Sequence, residues 1–252
     1  MMISFLRKKH IVEYHELNPK GNLKEFEIGN LIQQAAGEHA ALLHRGYDDL
    51  KKQGKAWMMT RADYYIYAYP KAADTIYIET WVDNFDKLYS HRDNHIFDVN
   101  DNVIIVVRTV WMVVNIEKRK IESVVPYVDL FPTIPNKCGE LAQVDRIKPF
   151  TNEPKHVSKQ KVTYSALDII GHTNNTRYIE WFVDGMPHNW HTDKNIEQLT
   201  VNYLHETKLD DELHFYYDWR INENGDSIIL YCNVHSDNNN TCIATFRAKL
   251  RS

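Results

Sequence analysis

The strongest constraint on how this chain can fold is that it says the same thing twice. Tyr14-His15-Glu16-Leu17-Asn18, closing in Gly21-Asn22, returns as Tyr164-Ser165-Ala166-Leu167-Asp168, closing in Gly171-His172, and the two tyrosines stand 150 residues apart. Each copy follows a short strand-like run. Each is followed by a helical segment and then by four runs rich in Ile, Val, Tyr, Trp and Thr, the composition of half-buried strands. The order predicts an α+β unit made twice, each an antiparallel sheet wrapped around one central helix.

Within the first copy, Ile28, Leu31, Ile32, Ala35, Leu42 and Leu43 fall at helical spacing. They predict a helix over 23–44 that buries one stripe and stops at Gly46. Strands are expected over 57–67, 75–83, 89–99 and 103–115, and again over 198–205, 212–222, 226–236 and 241–250, with Glu206 continuing the strand that carries Val201, Tyr203 and Leu204. Asn224-Gly225 predicts a hairpin of the primed type, and Asp237-Asn238-Asn239-Asn240 a second turn. Five of the eight prolines lie between 126 and 154 in a stretch of weak periodicity, which reads as a connection. The expected division is an N-terminal domain over 1–125, a connection over 126–155 and a C-terminal domain over 156–252.

The repeat also marks where chemistry belongs. Asp168 and His172 stand four residues apart just before an aromatic helical segment carrying Tyr178, Trp181 and Phe182. A helix N-terminus there offers unpaired N–H groups and a positive dipole end. Such a place can hold a thioester carbonyl and stabilise the oxyanion that forms on attack. In the first copy Asn22 takes the place of His172, and further on Tyr69 takes the place of Glu206. That half lacks the acid-base set.

The run D-x-x-G-H-x-N-N-x-x-Y, here Asp168 to Tyr178, resembles the hotdog-fold thioesterases, which cut acyl groups from coenzyme A or acyl carrier protein (ACP). Tyr203-Leu204-His205-Glu206-Thr207 is similar to the Y-x-x-E-C segment of plant-type fatty acyl-ACP thioesterases, and the 34 residues from His172 to Glu206 match the separation in that family. Trp57-Met58-Met59-Thr60-Arg61 resembles its W-x-x-T-R strand. Asp74-Thr75, Glu79-Thr80-Trp81, Arg92-Asp93 and Trp111 to Asn115 continue the likeness in order.

The resemblance implies a tandem double hotdog and a thioesterase acting on fatty acyl-ACP, with Asp168, His172 and Glu206 as catalytic residues. It implies no metal and no organic cofactor. Asp168 either orients His172 or is itself base or nucleophile. Gly171, Asn174 and Asn175 are the candidates for the oxyanion and substrate, through the N–H groups near Gly171 and His172 in particular, although both asparagines could equally cap the helix. The first half is expected to shape the acyl pocket, with Ile28, Leu31, Ile32, Trp57 and Met59 in its wall. Two positions depart from the plant-type pattern. Ile170 replaces an Asn, and Thr207 replaces the Cys, which removes a thiol nucleophile and favours water attack helped by a carboxylate. Alternatives are an acyl-CoA thioesterase with the same site and a non-catalytic acyl-binding protein.

Other signals are bland by comparison. A net charge of -4 argues against general affinity for nucleic acid. Cys138, Cys232 and Cys242 form neither a CxxC pair nor an even framework, and His188 with His191 lacks a third metal ligand at suitable spacing. The basic runs Lys118-Arg119-Lys120 and 155–161 read as solvated loops or as a docking surface for an acidic carrier. With no export signal and no apolar run of about 18 residues, a cytoplasmic protein is expected. A double hotdog already contains the pairing that single-hotdog chains obtain by dimerising, so a homodimer is optional.

Overall fold

A computed structural model of the chain describes residues 3–135, 137, 144, 146–223, 225, 227–237 and 241–251. Cys138, Asn224 and Asn238 to Asn240 lie outside the described residues, and with them the two expected turns. The chain divides into two compact units, one of Met1–Ala62 with Ile66–Val144, the other of Asp63–Tyr65 with Asp145–Ser252.

In the first unit β1 (Phe5–Ile11) leads through a 3-10 turn (Tyr14–Glu16) into α1 (Glu25–Leu42) and the short α2 (Tyr47–Lys51). There follow β2 (Lys55–Ile66), β3 (Thr75–Phe85), β4 (Ser90–Phe97), β5 (Val103–Asn115) and β6 (Lys120–Glu122). The neighbours β1–β3, β3–β4, β4–β5 and β5–β6 all pair antiparallel. The stripe on α1 is buried over Ile28, Leu31, Ile32 and Ala35, with Ile28 and Ile32 at 0% and 1% exposure, but Leu42, expected in the same stripe, is 50% exposed at the helix end. Part of the proline-rich segment belongs to this unit. Tyr127 and Phe131 are buried beside Ala40, Leu50, Val82 and Val113, and both rings pack on Trp57 at 5.5 and 6.1 Å.

The second unit repeats the series with β7 (His156–Lys161), a 3-10 turn (Tyr164–Ala166), α3 (Asn175–Asp184) and α4 (Trp190–Asp193). Its sheet is β8 (Asn195–Tyr203), β9 (Glu212–Ile221), β10 (Ser227–Ser236) and β11 (Cys242–Arg251). The antiparallel order is β8-β11-β10-β9-β7. Phe182 of α3 lies parallel to Phe246 of β11 at 4.6 Å, and its carbonyl accepts a hydrogen bond from the Tyr217 hydroxyl of β9 at 2.9 Å. Burying each such ring contributes about 1.5–3 kcal/mol. These contacts fix the helix, and with it the helix start, on the sheet.

Two expectations fail locally. Gly46 is not the stop of α1. His44 takes the left-handed conformation, φ +56, while Gly46 caps the start of α2 and lies so close to Ala41 that a Cβ would meet it at 3.0 Å. Close approach, not a left-handed φ, selects glycine there. Nor does Glu206 lie on a strand. The Leu204 and His205 N–H groups both converge on the Ile243 carbonyl, at 2.8 and 3.2 Å, which ends the ladder and swings the next residues off the sheet. The first unit does the same, Tyr67 and Ala68 converging on the Ile104 carbonyl at 2.9 and 3.2 Å.

Candidate active site

The loop before α3 is tied by its own acid. Asp168 Oδ1 accepts the N–H groups of Ile170 at 2.9 Å and His172 at 3.1 Å, and the Asp168 N–H donates to the His172 carbonyl at 2.7 Å. Gly171 turns the corner at φ +82, a conformation glycine adopts without Cβ strain. The Gly171 N–H donates to the Asp168 carbonyl at 3.0 Å. The N–H groups of Gly171 and His172, expected to await an oxyanion, are therefore both occupied by Asp168. Among the described residues, the carboxylate of Asp168 bonds to the backbone and not to the His172 ring.

Asn174 caps α3. Its Oδ1 accepts the Thr176 N–H at 3.1 Å, a contact worth about 1 kcal/mol, and the Thr176 hydroxyl at 3.1 Å. The Thr176 and Arg177 N–H groups are taken by Asn174. Among the described residues the Asn175 N–H has no acceptor, as the first turn of a helix allows. This donor, at the positive end of α3, is what the loop leaves for a carbonyl oxygen. Ile170 contributes its main chain to the loop while its side chain is exposed.

The loop carries His172 up to Glu206. His172 Nδ1 stands 3.3 Å from Glu206 Oε2, with the two side chains 24% and 22% exposed, so water can reach the pair. Two bonds hold the strand end against the helix start. The Thr173 N–H donates to the Thr207 carbonyl at 2.9 Å, and the hydroxyls of Thr173 and Thr207 are 2.7 Å apart. Asp168, His172 and Glu206 are thus gathered at one helix start. The sequence reading did not single out Thr173, whose hydroxyl within the Asp168 to Tyr178 run was the available signal for this contact.

In the first unit a cavity of about 160 Å³ is lined by Gln33, Ala36, Gly37, Ala40, Trp57, Trp111 and Arg92, among others. Of the expected acyl-pocket residues only Trp57 borders it. Ile28, Leu31, Ile32 and Met59 are buried in the core instead. The space exists because α1 presents small residues on that face, and the run Ala35-Ala36-Gly37 with Ala40-Ala41 was its sequence signal. Arg92 is buried, its Nη1 3.0 Å from both His39 Nδ1 and the Thr80 hydroxyl. Desolvation lowers its pKa to about 10, which leaves it charged at neutral pH.

Among the described residues no three His, Cys, Asp or Glu side chains cluster to hold a metal, and no helix is long and apolar enough to cross a membrane. His188 and His191 rings sit 6.2 Å apart. Cys232 is buried and Cys242 half-buried, both as free thiols.

Two repeated units of helix-wrapped antiparallel sheet, with an imidazole and a carboxylate facing each other at the helix start of one, define a double-hotdog thioesterase architecture. Residues 4–129 match the acyl-ACP thioesterase N-terminal domain and residues 151–248 the C-terminal domain, and the chain belongs to the acyl-ACP thioesterase family. It is 25% identical over 221 residues to the chloroplastic oleoyl-acyl carrier protein thioesterase of Coriandrum sativum, a match covering 81% of this chain and 60% of that one. A chloroplastic palmitoyl-acyl carrier protein thioesterase of Gossypium hirsutum is 26% identical over 215 residues, covering 76% and 52%. The chain thus spans about half to three fifths of the length of these curated relatives. Its fold superposes on that of an acyl-ACP thioesterase from Bacteroides thetaiotaomicron with a TM-score of 0.86 at 23% identity, covering 98% of each chain. The 12:0-ACP thioesterase of Umbellularia californica gives 0.87 at 16% identity, covering 100% of this chain and 95% of that one.

Proposed function

We propose that the protein hydrolyses fatty acyl-ACP to free fatty acid and carrier thiol at the start of α3. The observation that carries this reading is the pairing of His172 Nδ1 with Glu206 Oε2 at 3.3 Å, reachable by solvent, in a chain of the acyl-ACP thioesterase family. Glu206 takes a proton from water as the water oxygen bonds to the thioester carbonyl carbon. The Asn175 N–H and the helix dipole steady the oxyanion, and the C–S bond then breaks with the proton returning to the sulfur. His172 holds Glu206 in place and relays that proton, and Asp168 fixes the loop that presents the ring. The first half, which lacks the acid-base pair, supplies the acyl pocket.

The test is release of free thiol from purified acyl-ACP by the wild-type protein and by Glu206→Gln. The variant keeps size and loses the base, so kcat falls at least ~100-fold with KM little changed. A variant within twofold of wild type removes Glu206 from the reaction. Equal kcat/KM on acyl-CoA of the same length, unchanged by salt, would favour the acyl-CoA reading.

A further inference from the structure

Glu206 and His172 are each followed by a threonine, and those two threonines are bonded to one another. Thr207 is 1% exposed and Thr173 5%. Besides the backbone bridge from the Thr173 N–H to the Thr207 carbonyl, Thr207 Oγ1 lies 2.7 Å from Thr173 Oγ1 and 2.6 Å from the Tyr178 hydroxyl. One direction of donation satisfies every hydroxyl. Tyr178 donates to Thr207, Thr207 to Thr173, and Thr173 to the Thr207 carbonyl at 3.4 Å. Burial pushes the Tyr178 phenol up to about 12, so it keeps its proton at neutral pH.

The first unit serves as a built-in control. Its Leu23 N–H donates to the Pro70 carbonyl at 3.0 Å, the same backbone bridge at the same point of the repeat. Yet Leu23, Pro70 and Ile28 stand where the second unit has Thr173, Thr207 and Tyr178, and none of the three carries a hydroxyl. The bridge therefore closes without hydroxyls. Three buried hydroxyls, each costly to bury unless bonded, occur in the half that also has the imidazole and the carboxylate.

We infer that Thr207, together with Thr173 and Tyr178, is a positioning residue that sets the separation and facing of His172 and Glu206. The backbone bridge ties helix start to strand end. The hydroxyl chain removes the freedom to pivot about that tie. This inference rests on the reading of His172 and Glu206 as the working pair.

The experiment is steady-state hydrolysis of acyl-ACP by Thr207→Val, Thr207→Ser and Tyr178→Phe, run beside Glu206→Gln and with the melting temperature of each. Thr207→Val keeps shape and loses the hydroxyl, and kcat is expected to fall about 10-fold or more, the cost of a slightly misplaced reacting group, with KM within about threefold of wild type. Thr207→Ser restores kcat to within about threefold, Tyr178→Phe falls between, and the pH dependence of kcat moves in Thr207→Val alone with the loss. If Thr207→Val retains wild-type kcat while Glu206→Gln is inactive, the positioning role is wrong and the catalytic reading stands. Equal loss of kcat in Thr207→Ser and Thr207→Val would likewise overturn the positioning role alone. If Glu206→Gln is itself active, both fall.

Discussion

The loops at 18–22 and at 168–172 are one hydrogen-bonded object built from different chemistry. Asn18 Oδ1 accepts the N–H groups of Lys20 at 3.0 Å and Asn22 at 3.1 Å, and the Asn18 N–H donates to the Asn22 carbonyl at 2.8 Å, bond for bond what Asp168 does. Gly21 and Gly171 turn at φ +71 and +82. Beyond the loop the halves part. Asn22 is buried and bonded to Lys71, and Tyr69 donates to Glu25 Oε1 at 2.7 Å, where burial raises the Glu25 pKa. The second half has His172 facing Glu206, open to water. A neutral amide suffices to build the loop. The charge of Asp168 is therefore more than the loop's fold needs, and its bonds to the Ile170 and His172 N–H groups are charge-assisted where those of Asn18 are not.

Three predictions press on that comparison, in order of size. Asp168→Asn installs the residue that the first half uses, so the loop and the melting temperature should survive within a few degrees. The kcat should drop about 10- to 100-fold, because a weaker, uncharged hold on the His172 main chain misplaces its ring. Its loss combined with Glu206→Gln should be less than multiplicative, as expected of residues acting as a unit. Full activity in Asp168→Asn would reduce Asp168 to a turn residue.

A smaller effect is expected in the half without the pair. Gly37 faces the cavity wall in mid-helix, and an added Cβ there meets nothing within 4 Å. Gly37→Ala should raise stability by about 0.5–1 kcal/mol through helix propensity. It should also shift acyl preference toward shorter chains, since one methylene of pocket space is worth about 1–3 kcal/mol in discrimination. A ladder of acyl-ACP lengths measures this. Unchanged preference with raised stability would show that the acyl chain lies elsewhere.

The smallest effect pairs the two turn glycines. Gly21→Ala and Gly171→Ala each place a Cβ at positive φ with open space around it, a strain of about 1–2 kcal/mol. Thermal melts should register similar losses for both, while only Gly171→Ala, which shifts His172, lowers kcat.

How much of this was legible beforehand follows from what periodicity can see. The repeat, the burial of Ile28, Leu31, Ile32 and Ala35 on α1 and the meeting of His172 with Glu206 all rest on residue type and spacing, which a sequence displays. Glu206 leaving the strand did not show, because it depends on one carbonyl, that of Ile243, accepting two N–H groups. Ile28, Leu31, Ile32 and Met59 were expected with Trp57 in the acyl wall because they are large and apolar, a property that core residues share. Those residues fill the core, and the empty space borders the small ones, Ala36, Gly37 and Ala40. Asp168 spending its carboxylate oxygen on main-chain donors is likewise a matter of geometry that D-x-x-G-H alone does not specify.

The central claim is that the reaction proposed for the second half depends on His172 and Glu206, which the shared scaffold alone does not supply. It is tested most directly by converting His172→Asn together with Glu206→Tyr, which gives the second half the residues found at Asn22 and Tyr69. Acyl-ACP binding and hydrolysis are then measured on the same folded protein. The account predicts that binding persists while kcat falls at least ~1,000-fold, within the span of general acid-base catalysis. Turnover within tenfold of wild type would contradict it.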